Sequence, residues 1–224
     1  MMIQKNLNYI KERMQNAAAR RGVSAGDIKL VAVTKTVSAD VVRQAWDLGI
    51  TDFGENRVQD ALPKIALLPD DLRWHFIGHL QTNKVKSVIP AFKLIHSLDS
   101  VKLARALQNE AEKQKTKVHV LAQVNIGSEE SKSGFSFDEL LPALEEIAAL
   151  DSIKVQGLMA IAPYTDDPET VRPLFRRLYE LFSSIKITGI EMKHLSMGMS
   201  NDFETAIEEG ANMIRIGTNL FKSN

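Results

Sequence analysis

A closed α/β barrel of eight parallel strands, preceded by one extra helix, is the fold this sequence predicts, as a single domain over residues 1–224. Three observations predict it. Eight short apolar runs rich in Val, Ile and Leu recur along the chain. Each is followed by a stretch of helical spacing long enough for the crossover that parallel strands require. The runs are also apolar on both faces, as strands covered by helices must be. Eight such units suggest closure into a barrel. An open doubly wound sheet is the rival, but no Gly-x-Gly-x-x-Gly follows the first strand, so nothing favours a dinucleotide-binding version.

The elements follow in order. Ile3, Leu7, Ile10 and Met14 recur at helical spacing and define the extra helix. Residues 30–34 are the first strand, and the helix after it has Ser38 as N-cap and Gly49 as its stop. A short strand at 50–56 precedes a helix at 57–68, broken around Pro69. Strand 73–80 is followed by a short helix near 84–88, and strand 92–99 by the helix 100–114. Strand 117–127 leads to the helix 136–150, and strand 153–162 to the helix 168–185. Strand 191–200, helix 201–210 and strand 211–221 complete the set.

Bulk composition narrows the function. Lys plus Arg and Asp plus Glu both total 28, a formal net charge of zero. That balance argues against bulk binding to nucleic acid or membranes and leaves room for a local basic pocket. There are no cysteines, so disulfides and thiolate metal sites are excluded, and a reducing compartment is compatible. The amino terminus lacks the apolar core of a signal peptide, and no uncharged apolar run is long enough to span a bilayer. A cytoplasmic protein is expected.

In such a barrel the chemistry sits at the carboxyl ends of the strands. Lys35 stands there on the first strand, Glu55 and Asn56 on the second, Gly78 and His79 on the third, and Ser97 and Asp99 on the fourth. Asn125 ends the fifth, residues 159–163 the sixth, Ser196 to Ser200 the seventh and Arg215 to Thr218 the eighth.

Two of these places suit a phosphate. "SMGMSNDFE" offers Ser196, Ser200 and a glycine where a strand enters a helix, with Asn201 and Glu204 at capping-box spacing. Free backbone N–H groups and the helix dipole would face an anion there. "RIGT" adds Gly217, which permits close backbone approach, and the Thr218 hydroxyl. The plainer reading is that Ser200 and Asn201 cap a helix and Gly217 makes a turn. Lys35 has two readings as well. It is either a solvated lysine or a Schiff-base lysine, its amine made neutral by partial desolvation and a nearby cation such as Arg215. An aldehyde carrying a phosphate fits the second reading, and pyridoxal 5′-phosphate is such a molecule. His75 and His79 are four apart on a strand and do not converge as metal ligands would, so no metal is assigned. Trp46 and Trp74 read as packing residues.

Seven segments in register, "AVTKTVS", "DFGENRVQD", "WHFIGHLQTNK", "QVNIG", "GLMAIAP", "LSMGMSNDFETAI" and "RIGTNLF", resemble the pyridoxal-phosphate homeostasis proteins. That family is also described as proline-synthetase co-transcribed, and is similar to the barrel domain of alanine racemase. The resemblance implies a TIM-type barrel that binds pyridoxal 5′-phosphate as an internal aldimine on Lys35. It places Ser196, Ser200, Gly217 and Thr218 in the phosphate-binding segments, Arg215 against the pyridine nitrogen, and Asn56 and Met159 along the ring. The family usually continues to a glycine after the final phenylalanine, whereas here Phe221 is followed by Lys222.

An arginine keeps its protons, so it donates a hydrogen bond to the ring nitrogen without protonating it, and the ring's pull on electrons is weakened. The function expected is therefore a carrier that buffers pyridoxal phosphate in vitamin B6 homeostasis, with no catalytic residues. PLP-dependent apo-enzymes are its candidate partners, and the protein is expected to be a monomer or weak dimer. The alternative is an amino-acid racemase. Alanine racemases carry a further β domain that supplies a second base across the cofactor, and this sequence ends within a few residues of its eighth strand. A Schiff-base aldolase working without the cofactor is a third reading.

Overall fold

The computed structural model describes residues 2–127 and 133–222. Helix α1, Met2–Arg21, comes first. Strand β1, Lys29–Val33, is followed by α2, Ala39–Asp47, and β2, Asp52–Glu55, by α3, Val58–Ile65. Next come β3, Arg73–Phe76, with α4, Val85–Val88, and β4, Leu94–Leu98, with α5, Val101–Lys113. Strand β5, Val118–Val124, leads to α6, Phe137–Ala148, and β6, Ile153–Ala160, to α7, Arg172–Ser184. The series ends with β7, His194–Ser196, α8, Phe203–Glu208, β8, Met213–Ile216, and α9, Thr218–Phe221. The strands form one closed parallel barrel in chain order, sealed where β1 pairs with β8 and Val31 stands opposite Arg215.

Two cores result from the alternation of side chains along each strand. Outward residues such as Ala32, Phe53 and Ile95 join the large cluster beneath the helices. Inward residues Val31, Leu94, Leu121, Met159 and Met213 form a second, smaller cluster. The inward face is not wholly apolar. Asp52, His75, His96, Ser196 and Arg215 are all buried, and hydrogen bonds join each to the next across the strands. Asp52 opens β2 at the floor of the barrel and Arg215 sits towards the end of β8, near the mouth.

Helix α1 lies against α8 and α9, burying Ile3, Leu7, Ile10 and Met14. Asn6 donates to the carbonyls of Leu220 and Lys222, both at 3.1 Å. Arg13 pairs with Glu204 on α8. This bond explains one departure from expectation. No capping box forms at Asn201 and Glu204, because Glu204 turns to Arg13 and the N-cap is Asp202. The eighth strand also stops earlier than expected. Leu220 and Phe221 both donate their amides to the Gly217 carbonyl at 3.0 Å, which winds Thr218–Phe221 into a short helix instead. The helix expected at 168–185 starts as a 3₁₀ turn, Pro168–Val171, and becomes α-helical where Pro173, lacking an N–H, fits a first turn.

Candidate functional site

Arg215 is the most constrained residue at the mouth. Its guanidinium is fully enclosed, donating from Nη1 to Ser196 Oγ at 2.6 Å and from Nη2 to the Ala160 carbonyl at 2.8 Å. Burial brings its pKa down to about 10, partly offset by the Asp202 carboxylate, so it stays charged at neutral pH. Ser196 has no exposed surface, and its hydroxyl lies between Arg215 and His96 Nδ1, 3.1 Å away. The Ser196 side chain is thus engaged by the arginine, and in the segment that follows it is Met199 to Asn201 that reach the solvent.

That segment, 197–202, is irregular. Gly198 takes φ +91°, and a Cβ there would come within 2.6 Å of the Ala206 side chain, so only glycine lets the loop lie on α8. Its carbonyl accepts the Arg215 amide at 3.0 Å. The Asp202 carboxylate accepts the Met199 amide at 2.6 Å and holds the turn closed; burial pushes its pKa up. Ser200 is half-buried and Thr218 exposed. Asn219 donates to the Ser200 carbonyl at 2.8 Å and ties the two loops together. Among the described residues, the amides of Ser200, Asn201, Thr218 and Asn219 find no protein acceptor. An anion seated between these loops would meet donors that have nothing else to bond.

Lys35 follows β1 in a turn and is exposed, with no side-chain hydrogen bond or ion pair among the described residues. The expected desolvation is absent, since Lys35 is exposed. Its position is nonetheless fixed. Thr34 donates its amide to the Gly54 carbonyl at 2.9 Å and its hydroxyl to Glu55 Oε1 at 2.6 Å. Lys64 on α3 bonds both Glu55 Oε1 and the Thr34 carbonyl at 2.7 Å. Gly217 lies beside this strand end: a Cβ on it would stand 3.2 Å from both the Val33 Cβ and the Val33 carbonyl oxygen. Lys35, Gly217 and Arg215 thus share the β1–β8 side of the mouth.

Asn56 follows β2, the strand next to β1. It lines a cavity of about 280 Å³ with Ile77, Gly78, His79, Gln123 and Ile161. His79 pairs with Asp99 across its rim at 3.0 Å. Met159 is fully buried in the inner cluster below. Tyr164 is 80% exposed, and its hydroxyl donates to Asp166 at 3.1 Å. Sequence reading missed Asp52, His75 and His96 as partners of the site, along with the Lys64–Glu55 pair and Asp202.

The chain matches the family model described as the alanine racemase N-terminal domain over residues 3–224, and that defines its class. A Clostridium difficile alanine racemase has this fold at a TM-score of 0.73 and 16% identity, covering 100% of this chain and 57% of that one. Much nearer is the pyridoxal phosphate homeostasis protein of Aquifex aeolicus, 47% identical over 217 residues, 96% of this chain and 95% of that one. PipY of Synechococcus elongatus, solved with PLP bound, aligns with a TM-score of 0.80 at 34% identity, covering 95% of this chain and 100% of that one. This chain belongs to the pyridoxal phosphate homeostasis protein family.

Proposed function

We propose that this protein, working as one domain, binds pyridoxal 5′-phosphate at the barrel mouth through a Schiff base on Lys35. In this reading it buffers the cofactor and hands it on without turning over amino acids. The observation that carries this is the pairing of a free, exposed Lys35 with a buried, doubly anchored Arg215 on the adjacent strand. Lys35 lies four residues past Val31, the register partner of Arg215. The names of the Aquifex relative and of the PLP-bound PipY structure support the same reading.

When bound, the cofactor supplies a reactive aldehyde and an electron-withdrawing ring. The chain's residues divide the holding of it. Lys35 offers the amine. Arg215 presents its remaining N–H groups to the ring nitrogen and, staying charged, has no reason to give up a proton. The loops around Ser196–Ser200 and Gly217–Thr218 offer unbonded amides and hydroxyls to the phosphate. Asn56 lines the neighbouring cavity, and Met159 lies buried in the inner cluster. Removal and return of an amino-acid proton on opposite faces needs two groups. The three tyrosines leave none for the second role: Tyr9 lies on α1, Tyr179 on α7, and Tyr164 points to Asp166. The candidate recipients are apo-enzymes that use the same cofactor.

Borohydride reduction of the loaded protein, followed by peptide mapping, should leave the pyridoxyl group on the peptide containing Lys35. Label elsewhere, with Lys35 unmodified, overturns the proposal. Transfer of the cofactor from the unreduced protein to an apo-enzyme tests the delivery role.

A further inference from the structure

The buried polar residues inside the barrel form a single hydrogen-bonded line. Arg215 Nη1 meets Ser196 Oγ at 2.6 Å; Ser196 Oγ meets His96 Nδ1 at 3.1 Å. His96 Nε2 then meets His75 Nδ1 at 2.9 Å, and His75 Nε2 meets Asp52 Oδ1 at 2.9 Å. At the floor, Arg73 and Lys29 also pair with Asp52.

The chemistry of the two ends sets the direction of every bond between them. A guanidinium only donates, so Ser196 must accept from Arg215. The single Ser196 hydrogen is then free to go to His96 Nδ1, which is bare when a neutral His75 gives its Nε2 hydrogen to Asp52 and leaves its Nδ1 to accept from His96 Nε2. His96 therefore carries its proton on Nε2 and donates to His75 Nδ1, which must be bare in turn. His75 donates from Nε2 to Asp52, a carboxylate that only accepts when ionised. Burial pushes both imidazoles towards the neutral form this assignment needs, and the partners of Asp52 hold its carboxyl well below the usual range. Were His75 doubly protonated, His96 would have to reverse and the Ser196 hydrogen would lose its acceptor in the line.

We propose that Asp52, His75 and His96 are positioning residues for Arg215. Both ends of the line are charge-assisted, and the neutral imidazoles between them polarise one another. Through Ser196 the line pins Nη1 while the Ala160 carbonyl pins Nη2, so the guanidinium cannot rotate. One hydrogen on each of Nη1 and Nη2, and the Nε hydrogen, keep a fixed direction. The line ends on a carboxylate two strands away, on the far side of β1 from Arg215, and itself puts no acid next to the ligand. The first half of this proposal concerns the protein alone; the second half, that the pinned arginine reads the ring nitrogen, rests on the function proposed above.

The experiment has two arms. In the unloaded protein, long-range ¹H–¹⁵N correlation of labelled histidines should show His75 and His96 neutral, both protonated on Nε2, with separate Arg215 Nη signals. His96→Leu and the smaller change Ser196→Ala should merge those Nη signals, whereas His96→Gln, which can still accept and donate, should keep them partly resolved. In the second arm, pyridoxal 5′-phosphate is titrated against an analogue whose ring nitrogen is replaced by C–H. The unmutated protein should prefer the pyridine ring, and His96→Leu should erase about tenfold of that preference, the worth of one oriented hydrogen bond. Losing it equally in His96→Gln and His96→Leu would reduce His96 to packing. An Nδ1-protonated or doubly protonated ring at either histidine overturns the line itself. A preference unchanged in folded His96→Leu and Ser196→Ala overturns its role in reading the ring. If the unmutated protein binds neither compound, the proposed function falls while the first arm still decides the line.

Discussion

Lys64 donates from one ammonium group to both the Glu55 carboxylate and the Thr34 carbonyl, each at 2.7 Å, and so fixes the residue that precedes Lys35. Glu55 has no exposed surface, and its second oxygen, Oε2, finds no partner among the described residues. The pair is therefore a structural commitment: neither member can leave without stranding the other.

Replacing Lys64 with methionine should destabilise the unloaded protein by about 3 kcal/mol, the cost typical of leaving a buried charge unpaired. Lys64→Met combined with Glu55→Leu should recover much of that loss, because the stranded carboxylate is gone. Urea unfolding of the two variants measures this. Equal losses in both would mean that the pair contributes packing alone.

Gly217 and Ser200 should respond very differently to substitution. Ser200 is half-buried and contributes one hydroxyl, so Ser200→Ala should weaken cofactor retention only a few-fold, on the order of one ordinary hydrogen bond. Gly217→Val must displace Val33, since even a Cβ would sit 3.2 Å from its carbonyl oxygen. The push lands two residues before Lys35, and retention should fall at least tenfold more than in Ser200→Ala. Equilibrium dialysis with pyridoxal 5′-phosphate compares them, and equal retention would place the phosphate elsewhere.

Stability should begin to fall at a higher pH than carboxylates alone would dictate. The pKa values of His75 and His96 are lowered in the native state, chiefly by burial, so below about pH 6.5 the unfolded chain takes up protons that the native one refuses. Each histidine then costs about 1.4 kcal/mol per pH unit as the solution is acidified towards its folded pKa. Asp52 has a lowered folded pKa as well, so its stabilisation is complete above about pH 4 and disappears only below it. Lys29, Arg73, Arg215 and His194 face these groups and oppose imidazole protonation; Asp52 favours it. Urea midpoints should drop between pH 7.5 and 5.5, and His96→Leu should flatten the slope. An unchanged midpoint would mean that the histidines do not stay neutral.

Loaded protein incubated with alanine, serine or lysine in deuterated water should leave their chirality intact. Chiral chromatography measures this. Racemisation that disappears in Lys35→Ala would make the protein an enzyme, with His79 and its partner Asp99 at the mouth the first groups to replace.

Much of this molecule was legible in its residues. The parallel barrel could be read because strands covered on both faces are apolar throughout; seven of the eight fell within the expected segments, and the first begins one residue early, at Lys29. Strand ends could be read less well. The seventh strand shrinks to His194–Ser196 and the eighth to Met213–Ile216, because Asp202 and Gly217 recruit nearby backbone groups into turns that periodicity does not report. Lys35 and Arg215 stood out by position. The line behind Arg215 did not, because its members lie on five different strands and only the closure of the barrel brings them together. Their trace in the sequence is faint: a polar residue at an inward position of each strand, in Asp52, His75, His96 and Ser196.

Helix α1 has its apolar stripe covered by α8 and α9, and its Arg13 meets Glu204 across 191 residues of sequence. During synthesis that stripe emerges roughly 10–40 s before its partners, at the usual rate of about 5–20 residues per second. For that interval Ile3, Leu7, Ile10 and Met14 lack the two helices that cover most of α1, although the turn at Ala25–Asp27 and α2 are already present. Until then α1 is open to chaperones and to self-association, and that exposure ends only when α8 and α9 leave the ribosome.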